Sequence, residues 1–90
     1  MLMKLVNNSI VETAYLLLEK MTNKVVENNT ILLQDSSRYD LRSEVTRCNV
    51  WMDQIRYHLS DSKKNGKISK YDLSGLRHIV NRFGPLYLVE

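Results

Sequence analysis

The chain has one cysteine, one proline, three glycines and one phenylalanine in ninety residues, and each scarcity closes off a class of protein. A lone thiol, Cys48, cannot close an intramolecular disulfide. That excludes the small cross-linked secreted scaffolds and points to a reducing, cytoplasmic setting. So little glycine and proline excludes collagen-like and low-complexity chains. Long hydrophobic runs are missing too. The stretch Ala14 to Leu18 is flanked by Glu12 and Glu19, far short of the roughly 20 apolar residues that a membrane helix needs, and no secretory segment is read. The marks of catalysis are also absent. His58 and His78 have no cysteine or acid at metal-ligand spacing, and no glycine-rich phosphate loop or nucleophile elbow is present. The expectation is a protein that is not an enzyme and carries no cofactor.

The apolar and charged fractions, 43% and 26%, are those of an ordinary globular chain. Ninety residues make one domain, residues 1–90. A chain of this size buries only about 60 to 65% of the surface it exposes when unfolded, so its core is thin. The net charge of +3 is unevenly placed. Residues 1–40 carry four basic and five acidic groups, and residues 41–90 carry nine and five. A basic C-terminal half can meet an acidic surface or a phosphate backbone, although most such excesses are simply solvated faces.

Apolar periodicity predicts an all-α fold, a small bundle of three to four helices. Ser9 and Glu12 have capping-box spacing, and behind them Ile10, Ala14, Leu17, Leu18, Met21 and Val25 recur three and four apart. The stretch 25–33 supports two readings. It is either a loop and short second helix, or a β-hairpin turning at Asn28-Asn29 that would make the fold α+β. From Leu41 the pattern sharpens, with Leu41, Val45, Cys48, Met52, Ile55 and Leu59 forming a heptad seam, widened by Trp51 as an anchor for the core or an interface. Such a seam also permits a homodimer. Ser69 with Asp72 predicts another helix start, and Gly84-Pro85 predicts its end. The apolar tail 85–90 then either packs on the body or docks elsewhere.

Between the last two helices, residues 61–72 resemble an EF-hand calcium loop, with Asp61, Asn65, Gly66, Ile68, Ser69 and Asp72 at matching positions. Lys63 stands where that family places an oxygen ligand, and two acids against four lysines give the stretch a charge of +2, which repels a cation. Asp61, Asn65 and Asp72 are metal ligands only if that loop forms. The plainer reading is a turn at Asn65-Gly66 followed by a capping serine.

Helix, turn and helix also admit nucleic-acid binding, with Lys70, Ser74, Arg77 and Asn81 as a polar stripe and Lys63, Lys64 and Lys67 near phosphates. Against it, the connection from about Ser60 to Ile68 is long for a helix-turn-helix, and no aromatics interleave with the lysines in sequence.

Val45 to Ile55, followed by a lysine and glycine turn and then Leu73 to Val80, resembles the pediocin-like bacteriocin immunity proteins. That likeness implies a basic cytosolic four-helix bundle that protects its own cell by binding a bacteriocin-engaged membrane receptor, the C-terminal half choosing the partner. The broader expectation is a non-catalytic regulator or inhibitor of bacterial or phage type that binds another protein. Its candidate contacts are Trp51, Lys63, Lys64, Lys67, Lys70, Arg77 and Asn81.

Overall fold

A computed structural model describes the backbone of residues 7–65 and 67–89 and the side chains of residues 9–60 and 67–89. Three helices form, α1 Asn7–Gln34, α2 Tyr39–Asn65 and α3 Lys70–Tyr87, and among the described residues there is no strand. The fold is a small all-α bundle. Its longest dimension, 43 Å, is the length of the 28-residue α1 at about 1.5 Å per residue.

α1 begins at Asn7, two residues ahead of the expected Ser9 cap, so Ser9 lies inside the first turn. Once the Ile10 face is docked, each further upstream residue adds a backbone hydrogen bond without a new nucleation step. Both readings of 25–33, the β-hairpin and the loop with a short second helix, are overturned, because α1 runs unbroken to Gln34. The inward positions keep helical spacing across the Asn28-Asn29 pair. Met21 and Asn28 are buried, Val25 and Leu32 half-buried, and the Asn28 amide donates to Glu44 Oε1 at 2.8 Å, so its polarity is met inside the bundle. The chain reverses at residues 35–38, where the Ser37 amide and hydroxyl both donate to Asp35 Oδ1, the local bonding that favours Asp in turns.

In α2 the heptad seam divides. Cys48, Met52, Ile55 and Leu59 are at most 3% exposed, packed with Ile10, Ala14, Leu17 and Met21 of α1 and Leu76, Ile79 and Phe83 of α3. Leu41 and Val45 are only half-buried. The seam from Cys48 onward is therefore filled within the chain.

α2 continues to Asn65, so residues 61–65 are helical and cannot fold as the first half of a twelve-residue calcium loop. Gly66 and the side chains of Asp61, Lys63, Lys64 and Asn65 lie outside the described residues. The connection expected from Ser60 to Ile68 shrinks to residues 66–69. Ser69 caps α3 as expected. Its Oγ accepts from the Asp72 amide at 3.1 Å and donates to Asp72 Oδ2 at 2.9 Å, satisfying one of the free amides at the helix start.

The expected stop at Gly84-Pro85 is also overturned. Pro85 lies inside α3, which reaches Tyr87, and Gly84 does not adopt a left-handed φ. Proline removes one backbone bond near a helix end, and two interactions offset that loss. The Leu88 amide donates to the Gly84 carbonyl at 2.7 Å, and the Tyr87 ring is buried. The tail packs on the body through Tyr87 and Leu88, leaving Leu86 and Val89 exposed.

Candidate binding surfaces

Contacts between α2 and α3 run antiparallel along the whole of α3. His58 meets Asp72, Trp51 meets Phe83, and Tyr87 reaches both Cys48 and Glu44. A helix-turn-helix instead crosses its helices at roughly 90–120°. The short connection is thus that of a helical hairpin.

At the connected end, His58 Nδ1 lies 2.8 Å from Asp72 Oδ1. Both groups are buried, and the other Asp72 oxygen accepts from Ser69. Both carboxylate oxygens are thereby acceptors, so the imidazole donates through Nδ1–H. The ring lies tight against Gly75, where an added Cβ would overlap it, 2.6 Å from Cε1 and 2.9 Å from Cδ2. On either side stand Tyr57 and Tyr71, edge-on at 5.3 Å and 5.7 Å. The carboxylate sits between hydroxyl and imidazole, the reverse of a Ser-His-Asp relay, in which the imidazole contacts the hydroxyl. The arrangement is a structural clasp.

At the other end, Glu44 joins all three helices. Its carboxylate accepts from the Asn28 amide and from the Tyr87 hydroxyl, both at 2.8 Å, and the Cys48 thiol donates to the same hydroxyl at 3.3 Å. Burial opposes ionisation of Glu44, but those two hydrogen bonds, with Lys24 and Arg47 nearby, outweigh it and hold the carboxyl below its ordinary range. Burial, followed by the bonds to Cys48 and Glu44, pushes the Tyr87 phenol well above its usual value. Beyond this network, α1 and α2 project past α3. There Asn29, Leu32, Leu33, Arg42, Val45 and Thr46 line an open cleft of about 400 Å³. Leu33 is 89% exposed, and Arg42 donates to the Ser36 carbonyl at 2.7 Å.

The residues singled out from sequence fall into two groups. Lys70, Arg77 and Asn81, with Ser74, share one exposed stripe of α3, and Lys67 is exposed just ahead of it. Trp51 lies apart from that stripe, half-buried against Phe83 at 5.1 Å, with the Arg82 guanidinium 5.3 Å from its ring. The side chains of Lys63 and Lys64 lie outside the described residues. Among the described residues no three metal-ligating side chains cluster. Asp72, the last position of the calcium-like pattern, is turned inward to His58. Sequence spacing missed that pair because fourteen residues separate its members. It also missed Glu44 and Tyr87, 43 residues apart.

The fold is a three-helix bundle with no described helix long and apolar enough to cross a membrane. Compared with family models, curated proteins and solved structures, the chain matches none.

Proposed function

We propose that the protein is a non-catalytic regulator or inhibitor that binds another protein through the projecting end of the α1–α2 hairpin. One observation carries this reading. The two helices extend beyond α3, leaving Leu32 and Val45 half-buried and Leu33 exposed around a cleft edged by Arg42. Apolar surface left uncovered beside a cation suits a partner segment with apolar side chains and a carboxylate. Affinity capture from lysate in the presence of nuclease tests it, with wild type compared against Leu33→Asp. Leu33 is outside the core, so the substitution leaves the fold intact. The expected result is a captured protein that the variant loses. Nothing above background, or the same capture by both, overturns the reading.

A further inference from the structure

Along the α2–α3 seam, Arg47, Trp51 and Arg82 lie toward one end and Tyr57 and Tyr71 toward the other. Trp51 and Tyr57 come from α2, six residues apart, and Tyr71 comes from α3. Tyr57 and Tyr71 are 63% and 71% exposed. Both pack on the His58 imidazole, at 5.3 Å and 5.7 Å, so their centroids lie within the sum of those distances, about 11 Å. The imidazole is itself fixed by Asp72, so the two phenols stand on a rigid support with their outer surfaces in solvent. Cations stand near the rings, and the exposed Asp53, one turn before Tyr57, is paired with Arg56 at 3.0 Å. Arg82 lies over Trp51 at 5.3 Å. Arg47, one turn ahead of Trp51, is half-exposed with Glu44 4.0 Å away. From Arg47 to Tyr57 the track spans about 15 Å of helix.

Planar faces on a surface that also carries cations suit a single-stranded nucleic acid, because its bases stack on aromatic rings while its phosphates meet the cations. We infer that the α2–α3 seam binds single-stranded DNA or RNA, the bases stacking on Tyr57, Tyr71 and the rim of Trp51. This seam is a different surface from the hairpin cleft, so the two readings stand or fall separately. It also differs from the outward stripe of Lys70, Ser74, Arg77 and Asn81, the side that would face a duplex groove.

The test is fluorescence anisotropy with the full chain and labelled oligo-dT and oligo-U of about 15 nucleotides, within the usual single-strand site sizes. Duplex DNA, heparin and polyglutamate serve as comparison probes. Binding at low salt should weaken as salt rises, and the chain's one tryptophan should be quenched by stacking. The Tyr57→Ala/Tyr71→Ala variant should lose about tenfold or more in affinity, while the Tyr57→Phe/Tyr71→Phe variant keeps it. Arg82→Gln should flatten the salt dependence, a second readout that leaves the tyrosines untouched. The inference is overturned by no binding at low salt, or by alanine variants that bind as wild type. Duplex, heparin or polyglutamate binding as tightly as the single strands, without tryptophan quenching, also overturns it. The polyglutamate result would reassign the seam to an acidic protein.

Discussion

The bundle is pinned at both ends by a hydrogen-bonded carboxylate, and the two pins differ in kind. Asp72 joins α2 to α3 across a four-residue connection, and the same carboxyl bonds the serine that caps α3. Its position is set mostly by local structure, and it locks a ring against a glycine. Glu44 ties together three helices that are distant in sequence and remains partly open to water, its side chain 26% exposed. One pin completes a corner that capping already favours. The other sets the register of α1 and α3 on α2, and holds the last turn of α3 past a proline.

The largest expected effect comes from breaking the first pin. Asp72→Ala leaves the buried His58 Nδ1–H without its carboxylate and removes half of the α3 capping arrangement, a combined cost of about 3 kcal/mol. Tyr87→Phe deletes one hydroxyl from the second network and should cost about 1 kcal/mol. Urea unfolding of the two variants decides the ranking, and a larger loss for Tyr87→Phe would refute it.

The glycines at the two ends give an intermediate effect of opposite sign. Gly75→Ala drives a methyl into an imidazole that cannot retreat from Asp72. Overpacking of about 1–3 kcal/mol then exceeds the gain of about 1 kcal/mol from better helix propensity. Gly84→Ala meets the flexible end of Leu88 at 3.4 Å and Val80 Cγ1 at 4.0 Å, ordinary contacts, so propensity decides and the variant should be unchanged or up to about 1 kcal/mol more stable. Thermal melts of the pair check both signs.

Acid gives the smallest effect. Because Glu44 has a lowered pKa in the fold, its contribution is complete above the ordinary glutamate value of about 4.3. It is lost as pH falls through that value and below the folded one. Melting temperature measured from neutral pH downward should fall more in wild type than in Glu44→Gln. Equal slopes would show that Glu44 plays no part in the acid response.

Much of this was legible in the residues. The inward stripe of α1, the seam from Cys48 to Leu59, the α3 face of Leu76, Ile79, Val80 and Phe83, and the Ser69 cap all follow from spacing within one or two turns. Tyr57 and Tyr71 were not legible as a pair. Fourteen residues separate them, and only the hairpin closing on His58 brings them together. Gly84-Pro85 misled for a related reason, since the local stop signal was outweighed by the burial of Tyr87 two residues later.

The sequence by itself determined that amphipathic helices form and most of the faces they bury, because helical periodicity and capping are short-range properties of the chain. Only the tertiary structure decided that His58 meets Asp72, that Glu44 gathers Asn28 and Tyr87, and where the hairpin outruns α3. Those pairings join residues 14 to 43 positions apart. They are selected by which helix packing satisfies every buried polar group at once, a condition that no local pattern encodes.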